Sequence, residues 1–254
     1  AINRTLSELE MYHLIEIQDE TIIATDFGKI AFEMYIKPAT ASVLMEKLIR
    51  AYNYHEDGEL VYSPATWLYI IGETEEYKSV KPNKNVFQYI VMQAASYHDK
   101  LPIPSIPNEL QQEFNRFSAI MRPVMALEHW IQEVNEPDVC DRFDIHSGDL
   151  NYYINIACWL TRCLLRFAKA MGYKQIVGEL KDFETRLRSG IKEELLPLVK
   201  IKGIGRKRAR LLFNGGFKTI EDIKKASDSR IMTISGFSSK LIANMRQSIS
   251  DLEA

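Results

Sequence analysis

Between Ser147 and Met171 the chain reads SGDLNYYINIACWLTRCLLRFAKAM, with no proline and with its only glycine at position 148. Ser147 and Asp149 offer side-chain oxygens to the amides of a first helical turn, so the pattern predicts one long helix. Tyr153, Ile156, Ala157, Leu160, Leu164, Phe167, Ala168 and Met171 recur at three- and four-residue spacing and make an apolar stripe. A long helix that is apolar over a wide arc has to be surrounded, which makes it the centre of a helical bundle. A second row does not belong to that stripe. Tyr152, Asn155, Trp159, Arg162 and Arg166 step by 3, 4, 3 and 4 residues along the side expected to face away from the core. Rings interleaved with guanidinium groups suit a single-stranded nucleic acid, because bases stack on rings while cations meet phosphates. The competing reading is a core indole with two arginines in water, and the row alone leaves both open.

The flanking sequence supplies the surrounding helices. Polar caps precede apolar-periodic runs at Thr40, at Ser63 with Pro64, and at Asn83 or Asn85. LPIPSIPNE, with three prolines, predicts a non-helical connector. ELQQEFNRFSAIMRPVMALEHWIQEV predicts a long helix kinked near Pro123 or two helices meeting there. EPDVCDRF, YKQIVGELKDFETRLRSGI and KEELLPLV complete a set of about seven helices. Residues 1–36 read as a helix with Leu6, Leu9 and Leu14 on one side, a hairpin turning at Gln18-Asp19-Glu20, and a helix from Asp26 that Lys37-Pro38 stops. That order is either the end of a winged helix or a small α+β cap. The expected fold is therefore mainly α, with residues 37–197 as the bundle around its long central helix and residues 198–254 as a separate domain.

Charge sets that last segment apart. The chain has a net charge of −2, yet residues 198–254 hold 12 Lys and Arg against 5 Asp and Glu, leaving −9 for the residues before them. A basic domain on an acidic body points to a polyanionic partner. Within it, Leu198-Val199-Lys200-Ile201-Lys202-Gly203-Ile204-Gly205 runs into the basic helix RKRARLLFNGGF. Hydrophobe, Gly, hydrophobe, Gly, then a basic helix is the helix-hairpin-helix pattern: the glycines allow a tight turn whose amides, with the next helix N-terminus, form an anion-binding concavity. Arg206, Lys207, Arg208 and Arg210 are expected to add charge there, and Ala209 to allow close helix packing. Ile231-Met232-Thr233-Ile234-Ser235-Gly236-Phe237-Ser238 repeats the outline with Gly236 33 residues after Gly203 and with Ser238 where Gly205 stood.

Cys140, Cys158 and Cys163 form no CxxC pair and the five histidines are scattered, so neither a disulfide framework nor a zinc site is expected, and a reducing compartment is. No signal peptide and no apolar run of membrane-spanning length is present. No GxxxxGK[ST] loop occurs either, so no ATP-cradling site is expected in these residues.

ATDFGKIAFEMYIKPATA, LEHWIQEV, SGDLNYYINIACWL and LVKIKGIGRKRARLLFNGGFKTIEDIKKA, in this order, resemble the C-terminal portion of the archaeal superfamily-two DNA helicases of the Hjm type, related to the animal helicase HELQ. The likeness covers essentially the whole chain and implies the end of a winged helix, a ratchet bundle and a helix-hairpin-helix domain. In that family a ratchet helix lies across the single strand leaving the motor, and two of its side chains stack on bases. The resemblance places the family's Trp on Trp159. It places the family's stacking Arg on Tyr152, where this sequence departs from the pattern: a Tyr stacks but carries no charge, and Arg162 or Arg166 would have to compensate. The family's basic run falls on Arg206, Arg208 and Arg210, implied to help bind the departing strand and to restrain the motor. A longer parent is implied, an ATP-dependent helicase translocating 3′ to 5′ on forked or branched DNA, with ATP and magnesium held by motor domains. The opening Ala1, inside a helical pattern and in place of Met, fits such a fragment. Expected partners are single-stranded and forked DNA and those motor domains, with no membrane, for a monomer in the cytoplasm associated with the nucleoid. Two other classes remain at this point. Asp222, 17 residues after Gly205, is where a helix-hairpin-helix DNA glycosylase would hold its catalytic acid, although Glu221 and Ile223-Lys224-Lys225 beside it look like a solvated helix start. A related RNA-helicase interaction module is the third reading.

Overall fold

The computed structural model describes residues 2–19 and 21–253. Among them the fold is mainly α: fourteen α-helices and two 3-10 turns accompany one two-stranded hairpin. Contacts divide the chain into two compact units, Ala1–His129 with Asn135–Glu184, and Trp130–Val134 with Thr185–Ala254.

The first unit opens with α1 (Ile2–Met11), the antiparallel strands β1 (Ile15–Gln18) and β2 (Thr21–Ala24), and α2 (Asp26–Glu33). Gln18 pairs with Thr21, so the hairpin turns where expected; Glu20 of that turn lies outside the described residues, as does Ala1. Thr25 starts α2 by accepting the Gly28 amide at 3.0 Å while its hydroxyl donates to the His13 carbonyl at 2.7 Å. The helix does not run on to Lys37-Pro38. It ends at Glu33, because the Ile36 amide reaches back to the Ala31 carbonyl (3.1 Å) and the Tyr35 amide to that of Phe32 (3.1 Å), with Tyr35 in the left-handed region at φ 55°. This is the Schellman closure of a helix, with a tyrosine where glycine is usual.

Pro38 starts the next helix instead of stopping the previous one. In α3 (Pro38–Glu56) it takes the first turn, where a missing N–H costs nothing, and Lys37 is the cap. Thr40, expected to cap, lies inside the helix and donates its hydroxyl to Glu76 Oε2 at 2.6 Å. Ser63 caps α4 (Pro64–Gly72) through a reciprocal pair with Thr66, and every residue of that helix after Pro64 is buried. Asn83, not Asn85, caps α5 (Lys84–Ala94), accepting the Val86 amide at 3.0 Å. After a 3-10 turn at Ala95–Tyr97, the proline-rich connector contains no helix and anchors itself through buried Leu101. Then α6 (Gln112–Ile131) is a single helix with Pro123 inside it, followed by α7 (Glu136–Phe143), α8 (Ser147–Ala170) and α9 (Lys174–Ser189). The seven helices from α3 to α9 match the expected bundle, and α8 packs on α2, α3, α4 and α7. Its cap is His146, whose amide donates to Asp149 Oδ2 at 2.9 Å, so Asp149 closes the helix start as expected while Ser147 is the first helical residue and not the cap.

The second unit holds its own core, including Ile191, Leu195, Leu198, Ile201, Leu212, Phe217, Ile223, Ile231, Ile242 and Met245. KEELLPLV, expected as one helix, is a 3-10 turn at Glu193–Leu195 followed by the four-residue α10 (Leu196–Val199). Then come α11 (Arg206–Asn214), α12 (Ile220–Lys225), α13 (Asp228–Met232) and α14 (Ser239–Glu253). No helix among the described residues is long and apolar enough to cross a membrane.

Candidate nucleic-acid interface

The central helix α8 buries Leu150, Tyr153, Ile154, Ala157, Cys158, Leu160, Thr161, Cys163, Leu164, Phe167 and Ala168. The buried arc is wider than the expected stripe, and Ile156 and Met171 are only half-buried at its border. Beside it runs the second row. Asn155 and Arg162 are exposed, whereas Tyr152, Trp159 and Arg166 are half-buried. The expectation that this row faces away from the core is corrected here, because the chain following α2 lies over part of it. The Trp159 indole N–H donates to the Met34 carbonyl at 3.0 Å, and Arg166 pairs with Glu33. The Tyr152 hydroxyl donates to the Glu76 carbonyl at 2.6 Å, with the Lys78 ammonium 5.6 Å from its ring centroid. Arg162 reaches Glu184 at 3.4 Å. Beneath the row the Cys163 thiol donates to the Trp159 carbonyl at 3.4 Å, and burial pushes that thiol up to about 12, so it stays neutral and unreactive. Each ring is therefore held by one hydrogen bond at its polar edge, which fixes its orientation.

In the second unit the two hairpins repeat each other bond for bond. Ile201 N–H bonds Leu198 O (3.2 Å), Ile204 bonds Ile201 (3.0 Å) and Ala209 bonds Gly205 (2.9 Å). In the second copy Ile234 bonds Ile231 (3.0 Å), Phe237 bonds Ile234 (3.3 Å) and Ile242 bonds Ser238 (3.0 Å). Gly203 and Gly236 both have φ 86°, the left-handed value that each turn requires. The copies differ at their mouths. Ser238 Oγ accepts the Leu241 amide at 3.3 Å and so occupies the start of α14. Gly205 has no side chain and none caps α11, so the first amides of that helix point outward with the positive end of its dipole.

The basic residues of α11 do not all serve this mouth. Lys207 and Arg208 are exposed, and Arg208 Nη1 donates to the Gly203 carbonyl at 2.8 Å, which keeps the guanidinium at the turn. Arg206 and Arg210 turn away, contrary to expectation. The Arg206 guanidinium lies 4.7 Å from the Trp130 ring centroid and donates to the Val134 carbonyl at 2.8 Å, and burial lowers its pKa. Arg210 binds Glu133 and, at 2.8 Å, Glu194; its hydrogen bond to Glu133 raises its pKa. These two arginines fasten residues 130–134 to α11. The residues missed in sequence are Lys200 and Lys202, both exposed beside Gly203, with the Lys202 amide held by Ser248 Oγ at 2.8 Å. Their alternation with Ile201 ahead of the glycine was the available signal.

Asp222 is not poised as a catalytic acid. Its Oδ2 accepts the Lys218 and Thr219 amides at 3.0 and 2.9 Å, and the Thr219 hydroxyl accepts its own amide at 3.1 Å. This is a capping box at the start of α12, and hydrogen bonding to the carboxyl from the Thr219 side chain first, then from the Thr219 and Lys218 amides, holds it below the ordinary carboxylate value. Among the described residues no group of three or more His, Cys, Asp or Glu could hold a metal ion.

Comparison with known proteins follows the same division. The family described as "Archaeal helicase, domain 4" matches residues 65–190, and that described as "SAM-like Helix-hairpin-helix tandem" matches residues 195–251. The ATP-dependent DNA helicase Hel308 of Caldivirga maquilingensis is 32% identical over 251 residues, 96% of this chain and 32% of the relative. That of Pyrococcus horikoshii is 30% identical over 226 residues, 88% of this chain and 30% of the relative. That of Methanocaldococcus jannaschii is 32% identical over 212 residues, 84% and 16%. The chain thus spans about a third or less of the length of these curated relatives. With a domain 4 and a helix-hairpin-helix tandem in that order, and with relatives aligned along nearly its whole length, the chain belongs to the archaeal superfamily-two DNA helicases and corresponds to their C-terminal region.

Proposed function

We propose that this chain is the DNA-gripping part of an ATP-dependent DNA helicase that moves 3′ to 5′ on forked or branched DNA. In this reading residues 1–36 end a winged helix, residues 37–197 form the ratchet bundle and residues 198–254 form the helix-hairpin-helix domain. ATP and magnesium belong to motor domains outside this sequence, and the chain's partners are those domains and single-stranded or forked DNA, in the cytoplasm. Bases stack on Tyr152 and Trp159, Asn155 offers its amide to base edges, and Arg162 and Arg166 neutralise phosphates. Independently, the open start of α11, with Gly203 and Gly205 in its turn and Lys207 and Arg208 beside it, binds a backbone phosphate.

The observation that carries the reading is the fixed orientation of Trp159, whose indole N–H is spent on the Met34 carbonyl within a row that also carries Tyr152, Arg162 and Arg166. The test is anisotropy of a labelled single strand, a duplex and a 3′-tailed fork, with Trp159→Ala and Trp159→Phe beside the parent sequence. Tailed and single strands should bind best, and Trp159→Ala should weaken them by about 1–3 kcal/mol while Trp159→Phe retains most of the affinity. Duplex-only binding indifferent to Trp159 would remove α8 from the interface. Equal affinity for an RNA strand of the same sequence would favour the RNA-helicase module.

A further inference from the structure

Phe32 and Tyr35 are 79% and 87% exposed, and their ring centroids lie 6.5 Å apart with planes inclined by 32°. An isolated exposed ring is ordinary; two neighbouring ones are a patch that calls for a partner. Tyr35 is also in a backbone position that does not want it. It sits at the left-handed residue of the α2 closure, φ 55°, where glycine fits without strain. The fold gains nothing visible from that ring, whose neighbour Ile36 makes the buried contact at 7% exposure.

The position of the patch names its occupant. The two residues between Phe32 and Tyr35 are those that touch the α8 row: Glu33 pairs with Arg166 and Met34 receives the Trp159 indole N–H. The pair of rings is thus joined through two consecutive residues to the proposed stacking side chains. Cations flank it, Arg166 on α8 and Lys37 two residues after Tyr35, the latter bound to Glu75 at 2.8 Å. Both cations are on exposed or half-exposed pairs, which are weak in water and readily exchanged for phosphate.

We propose that Phe32 and Tyr35 continue the base-stacking surface of α8, so that a single DNA strand passing Trp159 next meets these two rings, with Arg166 and Lys37 transferring from Glu33 and Glu75 to its phosphates. This rests on the α8 reading above and extends it to residues on another element.

The experiment measures binding of a fluorescein-labelled oligo-dT to the whole chain and to Phe32→Ala, Tyr35→Gly, the double variant and Trp159→Ala, across a salt series. Tyr35→Gly suits the left-handed position, so the helix end should survive, as circular dichroism and melting will show; Tyr35→Asn replaces it should that variant melt early. The double variant is expected to bind about 5-fold or more weakly with an unchanged salt slope, since stacking releases no counterions. Irradiation of 5-iodouracil-substituted strands should place adducts on Tyr35 or Phe32. If Trp159→Ala weakens binding while the double variant stays within about 2-fold of the parent, the inference is overturned, the α8 reading stands, and the rings are left as a protein-docking patch. If neither variant weakens binding, both fall.

Discussion

In the proposed reading Trp159 has two duties that substitution separates. Its indole, half-buried on α8, donates to the Met34 carbonyl, so Trp159→Ala should cost about 2 kcal/mol of stability in urea titration in addition to any lost stacking. Trp159→Phe should lose only the hydrogen bond, about 1 kcal/mol. Equal stability of all three proteins would mean the indole contributes nothing to the fold. The arginines of α11 divide in the same manner. Arg210→Ala leaves Glu133 mostly buried beside an empty place and should destabilise by about 1–3 kcal/mol, and Arg206→Ala should lose its contact with Trp130, with little change in the salt dependence of DNA binding from either. Lys207→Ala with Arg208→Ala should leave stability alone and flatten the salt slope by roughly one to two counterions. A slope that follows Arg206 or Arg210 instead would show that these side chains leave their partners on binding.

At the scale of elements, the hairpin glycines give a paired test. Gly203→Ala forces a methyl into a φ of 86° and should cost about 1 kcal/mol or more, whereas Gly205, extended at φ −94° with open space around it, should accept Ala without loss of stability and yet weaken phosphate binding by crowding the mouth of α11. Both substitutions behaving alike in melting would refute that distinction. The end of α6 predicts a pH response. Burial lowers the pKa of His129, whose ring bonds the Met125 carbonyl and faces Arg142 at 3.0 Å. The unfolded chain takes up that proton near pH 6.5 while the folded one resists, so this contribution is intact above about 6.5 and is lost as pH falls below it. His129→Gln should flatten the decline in melting temperature between neutral and mildly acidic pH. What was legible in the sequence follows the same scale. The cap at Ser63 and the glycine turns are local and legible, and the cap of α5 is narrowed to Asn83 or Asn85. Lys37-Pro38 is ambiguous in sequence because proline ends one helix and begins another equally well, and because Tyr35 stands in for glycine. The orientation of the α8 row was not readable, since the Met34 carbonyl that receives Trp159 is 125 residues away in sequence. Nor were Arg206 and Arg210, whose partners Val134 and Glu133 are 72 and 77 residues distant.

For the molecule as a whole, the proposed function has two kinds of grip, by charge and by rings, with different responses to the solvent. Residues 198–254 carry the positive excess, and the rest of the chain is net negative. Added salt should therefore weaken the part of DNA affinity that depends on Lys207 and Arg208 and spare the part that depends on Trp159, a separation visible when salt titrations of the variants are compared. If salt abolishes the Trp159-dependent part first, the assignment of the two grips is reversed. The division of the chain has a further consequence. Trp130–Val134 belongs to the same compact unit as Thr185–Ala254, and its ring, carbonyl and carboxylate occupy Arg206 and Arg210. Residues 185–254 expressed alone should melt well below the whole chain, with those two arginines released to solvent. The basic tail is thus not a cassette that recombination could lift out by one cut and graft elsewhere. Its inheritance is tied to the bundle through five residues borrowed from upstream, and only a circular permutation or a graft beginning before Trp130 would carry the unit intact.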